Sequence, residues 1–134
     1  MIDLLDMTDQ HLNEELAKWL GYTMVFVGGE PKYARVISPE GKLVGKTNTD
    51  TTKAWAGAIP NYCNDPAASL EVQAKAIEVD AASYVQNLQE IKWGHMFTET
   101  LLVRIAELIN ASPRERAEAA YMTLSSQNQV NTED

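Results

Sequence analysis

An apolar stripe through the middle of the sequence limits the folds open to it. Ala67, Leu70, Ala74, Ile77, Ala81, Tyr84, Leu88 and Ile91 recur in steps that alternate between three and four residues. That period belongs to a helix with a narrow apolar seam and not to a strand, whose side chains alternate every second residue. Asp65 is a good N-cap, and Pro66 suits the first helical position, where its missing N–H costs nothing. The spacing therefore predicts one long helix over about 66–92. A helix of that length spans about 40 Å. It outruns a small sheet, so its seam either packs on the rest of the chain or meets a second copy, and the length favours self-association.

The flanks read as α+β. Thr8 and Asp9 are N-cap types, Leu12, Leu16, Trp19 and Leu20 follow at helical spacing, and Gly21 is a stop, which predicts an amphipathic helix over 9–20. A β-meander comes next: Tyr22 to Val27, Tyr33 to Ile37, and a short third strand from Lys42 to Lys46. The turns between them are Gly28-Gly29-Glu30-Pro31 and Ser38-Pro39-Glu40-Gly41. In the second strand Tyr33, Arg35 and Ile37 share one face, and Ala34 and Val36 the other. The double glycine lacks the spacing of a nucleotide loop and precedes a strand, so it reads as a hairpin turn. Residues 47–65 show no clear period.

Residues 98–110 fit a helix through Leu101, Leu102, Ile105, Leu108 and Ile109. Leu101 to Ile105 also passes as a fourth strand, and the helical reading is preferred. Ser112-Pro113-Arg114-Glu115 is a capping box with Pro in the first turn, which predicts a last helix over about 113–125. Its buried face is Ala117, Ala120, Tyr121 and Leu124. The expectation is a single α+β domain over 1–124: a small antiparallel meander packed with N-terminal, long central and C-terminal helices. The polar segment 125–134 is expected to be a disordered tail.

Charge narrows the partners. The 134 residues carry 11 Lys+Arg and 19 Asp+Glu, a net charge of −8. That balance argues against a DNA or RNA polymer and against anionic membrane surfaces, both of which select basic patches. Apolar runs such as Met24 to Val27 are too short to span a bilayer. The acidic N-terminus lacks the positive start of a signal peptide, and the single Cys63 forms no internal disulfide, so a reducing cytoplasm is the expected compartment. The charge is unevenly spread. Residues 1–20 carry −4, residues 61–92 carry −3, and residues 21–60 carry +2 through Lys32, Arg35, Lys42, Lys46 and Lys53.

Catalytic chemistry finds little support in these residues. Nucleophilic catalysis would need Cys63 or a serine beside a base, and the histidines are His11 and His95 only. Zinc needs three or four closely spaced ligands, which two isolated histidines and one cysteine do not supply. No metal or cofactor is expected, and the chain is not read as an enzyme. Binding residues are better candidates. Arg114 and Arg116 lie in the first turn of a capped helix, where free N–H groups and the positive dipole end favour an anion. Asn61, Tyr62, Asn64 and Asp65 form a polar turn before the long helix, which either contributes to a binding site or simply caps the helix. Trp93, His95 and Phe97 cluster after it and could stack a base or plug the core.

Three blocks carry a family resemblance. They are Leu12-Asn13-x-x-Leu16-Ala17-x-x-Leu20-Gly21-Tyr22, Pro60-Asn61-Tyr62-Cys63-Asn64-Asp65, and Ala111-Ser112-Pro113-Arg114-Glu115-Arg116-Ala117-Glu118-Ala119. In this order they resemble the small phage and prophage proteins of the phage ABA-sandwich type, which implies an α+β fold. That group includes the Thoeris anti-defence sponges, which sequester cyclic ADP-ribose-type signals without cleaving them. Some members hold cyclic oligonucleotides, and members are dimers or hexamers. The chain departs from many relatives in lacking strands between its central and final helices. The resemblance implies a cytoplasmic phage anti-defence protein whose partners are a small cyclic nucleotide signal and copies of itself. Arg114 and Arg116 would hold the phosphates, Tyr62, Trp93 or Phe97 would stack the base, and Asn64 or Asp65 would read ribose hydroxyls. The alternatives are a protein–protein module that inhibits or assembles with a partner and, behind it, a small nucleotide hydrolase.

Overall fold

The computed structural model describes residues 6–29, 32–94 and 102–132. The chain runs α1 (Asp9–Trp19), β1 (Thr23–Val27), β2 (Tyr33–Ile37), β3 (Leu43–Asn48), α2 (Thr51–Ala56), α3 (Pro66–Trp93), α4 (Leu102–Ile109) and α5 (Pro113–Thr132). This is the expected α+β fold. The three strands form one antiparallel sheet in the order β1-β2-β3.

Local chemistry accounts for most element ends. The Thr8 hydroxyl accepts from the His11 N–H at 3.0 Å and opens α1. At the other end the Tyr22 N–H donates to the Ala17 carbonyl and the Gly21 N–H to that of Lys18, with Gly21 at φ 106°. That pair of bonds is a Schellman close, which needs a left-handed residue. Asp65 caps α3 through the Ala67 N–H at 3.1 Å. The capping box of α5 is reciprocal: Ser112 Oγ accepts from the Glu115 N–H, and Glu115 Oε1 accepts from the Ser112 N–H. The helix α4 settles residues 102–109 as helical, and α5 continues to Thr132, past its expected end near 125. The short helix α2 was not legible in the sequence. Asp50 caps it through the Thr52 N–H, and Trp55 anchors it in the core.

The central helix holds the main departure. It spans the expected residues, but Asp80 takes non-helical angles inside it (φ −161°, ψ 91°). The Asp80 carboxylate then accepts from the N–H and the hydroxyl of Ser83, as a fresh N-cap would. The break turns the chain back on itself. The Tyr84 hydroxyl donates to Gln73 Oε1 at 2.8 Å. Eleven residues of straight helix would separate those positions by about 16 Å, beyond the reach of the two side chains. Consistent with a fold-back, Ser69 near one end and Lys92 near the other both touch the start of α5.

This bend splits the seam. Tyr84 and Leu88 beyond it are buried as expected. Before it, Val72 and Ala76 are fully buried instead, with Ala68 and Ser69. Ala67, Leu70, Ala74, Ile77 and Ala81 face outward, with Leu70 47% and Ile77 41% exposed. The two halves of α3 and α5 make a three-helix layer. Its core contains Val72, Ala76, Tyr84, Leu88, Ala117, Ala120 and Leu124, and it is continuous with Leu12 and Leu16 of α1, Trp55 and Val36. Alanines on α5 let the helices approach closely.

The sheet is covered on one face. Ala34 and Val36 are buried, and Met24 and Val44 pack on the same core. Register places Met24 opposite Val36, and Val36 opposite Val44, so these side chains share the inner face. The β2–β3 pairing carries a bulge beside Gly45. Gly45 has φ +71°, and a Cβ there would sit 2.8 Å from that of Ala58, so the bulge and the passing chain both require glycine.

Candidate functional site

The three blocks far apart in sequence meet in one polar cluster. It lies where the start of α1, the turn 61–65 and the start of α5 come together. Buried Asn13 is the hub of one half. Its amide donates to Asn61 Oδ1 at 3.0 Å, and its carbonyl accepts from the Cys63 N–H at 3.1 Å. Asn64 donates to the same Asn61 oxygen and to Asp9 Oδ2, both at 3.1 Å. The bond from the Cys63 N–H satisfies a turn amide that would otherwise be buried without a partner.

Arg114 is the hub of the other half. Nη1 donates to Asp9 Oδ1 at 2.7 Å, Nε to Glu118 Oε2 at 3.2 Å, and Nη2 to the Met7 carbonyl at 2.8 Å. Nη1 also lies 3.8 Å from Cys63 Sγ. The guanidinium thus ties three separate segments together, using the rigid fork that lysine lacks. Arg116 donates to Ser69 Oγ at 3.0 Å, and Lys92 pairs with Glu115 at 3.2 Å.

Protonation follows this geometry. Burial pushes the Cys63 thiol up to about 11, against the opposing pull of Arg114, so it stays protonated at neutral pH and is a poor nucleophile. The Arg114–Glu118 pair shows opposite responses in its partners. Burial makes Arg114 easier to deprotonate, but Cys63, Glu118 and Asp9 outweigh that and hold its charge more firmly. Glu118 is pushed up by burial more than Arg114 pulls it down, with Glu115 and Asp9 adding repulsion. The short bonds fix the pair at neutral pH, and the raised Glu118 records what burial of an ionised carboxylate costs. For Glu115, burial acts upward, but the Ser112 amide and Lys92 prevail and the net shift is downward.

Of the residues singled out in the sequence, Arg114, Arg116, Asn64, Asp65 and Tyr62 converge here. Asp65 is engaged as the α3 cap, and Tyr62 is 1% exposed, inside the core, with its ring closed to a stacking base. Trp93 belongs elsewhere. Its Nε1 donates to Glu107 Oε2 at 3.1 Å, and Arg104 stacks 5.0 Å from its ring centre, so it fastens α3 to α4. Phe97 and His95 lie outside the described residues. Sequence reasoning missed Asn13, Asp9 and Ser69, whose partners lie far away along the chain.

The second notable surface is the outer face of the sheet. Register sets Val25 opposite Arg35, Val27 opposite Tyr33, and Ile37 opposite Leu43. None of these side chains belongs to the core, and Val27, Tyr33 and Leu43 are 40–51% exposed. Among the described residues Arg35 Nε is buried by its neighbours and has no hydrogen-bond partner. The described residues form no cluster suited to a metal ion, and none of their helices is long and apolar enough to cross a membrane. No family model, curated protein or solved structure matches the chain.

Proposed function

We propose that this chain is a non-catalytic interaction module of the cytoplasm, working through the outer face of its sheet. One observation carries the reading: Val27, Tyr33 and Leu43 stand 40–51% exposed on an apolar sheet face around Arg35, whose Nε has no hydrogen-bond partner among the described residues. Monomers rarely leave a large apolar face open, because exposed apolar area gains from being covered. Cys63 supports the non-catalytic part, being a buried thiol with its pKa raised. The test is affinity capture from the source cell's lysate with two tagged baits, the wild-type chain and Arg35→Glu. The expected result is a protein retained in stoichiometric amount by the first bait and lost from the second. Identical retained sets would overturn the proposal.

Sequestration of a cyclic nucleotide signal is the second reading. Its support is the convergence of all three resembling blocks, with Arg116 spanning from the α5 start to Ser69. Arg114 is already matched by Asp9 and Glu118, so Arg116 would carry the phosphate contact. Calorimetry with cyclic ADP-ribose isomers and cyclic oligonucleotides tests it. Binding lost in Arg116→Gln is expected, and no heat from any of them at micromolar protein would sink the idea.

A further inference from the structure

No proline or glycine makes the bend in α3. Sharp helix breaks almost always fall at one of the two, and residues 67–93 contain neither. Asp80 alone leaves helical angles. Ala81 and Ala82 follow it, and alanine is the strongest helix former. The apolar seam from Ala67 to Ile91 keeps one period through Asp80, which is the pattern of an unbroken helix. Local sequence therefore favours a straight α3. The bend is held by the Asp80 carboxylate on the N–H and hydroxyl of Ser83. It is held also by bonds between distant parts of the chain: Tyr84 to Gln73, Arg116 to Ser69, and Arg114 to Asp9 and the Met7 carbonyl.

Each of these distant bonds joins a residue before Asp80 to one after it. On the near side lie α1, the sheet, α2 and the leading half of α3; on the far side lie the rest of α3, α4 and α5. Such bonds form between two copies as well as within one. We infer that Asp80 is a hinge through which two copies exchange the part of the chain that follows it. On exchange α3 straightens to about 42 Å, and α5 of each copy seats on α1 and the leading α3 half of the other. The exchange needs no new surface, because its contacts are those the single chain already makes. Straightening restores helical bonds to the backbone groups that two helix ends leave open at a break. It gives up the Asp80 cap and the freedom of two separate chains, so protein concentration sets the balance. In the exchanged dimer the polar cluster is assembled from both copies, with Asp9, Cys63 and Ser69 from one and Arg114 and Arg116 from the other. The outer sheet face takes no part in the exchange.

The test is to refold the full chain from urea at low and at high protein concentration and to size the products by chromatography with light scattering. The wild type is expected to give monomer when dilute and a dimer fraction when concentrated. That dimer should outlast dilution, because its separation requires the core to open. Asp80→Ala removes the cap and is expected to raise the dimer share several-fold. Ser83→Ala removes one of the two cap bonds, should raise the share less, and carries the test if Asp80→Ala fails to fold. A distance then identifies the form. Spin labels are placed at Ala67→Cys and Glu90→Cys in a Cys63→Ala background, and labelled protein is refolded with excess unlabelled chain so that each pair reports on one chain. A straight α3 separates those positions by about 35 Å. The bent α3 holds them closer, since Ser69 and Lys92 both touch the start of α5. The dimer should show the longer distance and the monomer the shorter. Absence of a wild-type dimer overturns the inference. So does a dimer that falls apart on dilution, a dimer share that neither substitution moves, or a dimer that keeps the monomer distance.

Discussion

Arg114 and Arg35 are both partly buried arginines, in opposite circumstances. Arg114 has a carboxylate on each side and a carbonyl beneath it, and it joins α1 to α5. Arg35 lies among apolar side chains on an open sheet face, and its Nε donates to nothing among the described residues. The first is occupied by the fold. The second has bonding capacity left over. The contrast teaches that clustering and position in a capped helix do not by themselves mark an arginine as a ligand site. What matters is which acceptors the folded chain already brings to it.

The comparison can be broken first at Arg114. Arg114→Met removes the shared partner of Asp9 and Glu118, and a loss of about 3 kcal/mol is expected in urea denaturation. That is the low end for breaking a buried pair, because Asp9 is half-exposed. Stability within error of wild type would mean the cluster does not hold the fold. Next comes Asn13→Ala, which strands the buried Cys63 N–H, while Asn61 Oδ1 keeps its bond from Asn64. An expected cost of about 2 kcal/mol, read from the same denaturation curves, follows from leaving such a group unsatisfied.

A smaller effect separates two carboxylates of the Arg114 neighbourhood. Carbon-detected titration by NMR should place Glu115 below the ordinary carboxylate range near 4.3 and Glu118 above it. The signs for stability then differ. The contribution of Glu115 is present above its unfolded pKa and is lost as pH falls through its lower folded value. Glu118 favours the folded state when protonated, a contribution full below its unfolded pKa and lost as pH rises through its higher folded value. Equal titration midpoints would contradict the assigned bonding. The smallest expected effect is at Arg35. Arg35→Met should move monomer stability by no more than about 0.5 kcal/mol in either direction, because its Nε makes no bond among the described residues that would be lost. A loss as large as that of Arg114→Met would erase the contrast.

The sequence alone determined many features that depend on neighbours along the chain, though not the Asp50 cap of α2 or the Asp80 cap inside α3. The capping box at Ser112 and Glu115, the Asp65–Pro66 start, the Gly21 stop and the meander are set by backbone groups a few residues apart, which nearby side chains satisfy. Alternation along β2 also placed Tyr33, Arg35 and Ile37 together. Tertiary structure decided what depends on distant partners. A seam of period 3.5 continues across Asp80 on paper, but burial is settled by what packs against each half. There α5 and the fold-back chose Val72 and Ala76 over Leu70 and Ile77. In the same way Arg114 and Arg116 looked alike at a helix start until Asp9, 105 residues away, claimed one of them. Local hydrogen bonds are written in adjacent residues, whereas the use of a charge or an apolar face depends on which remote surface the folded chain brings to it.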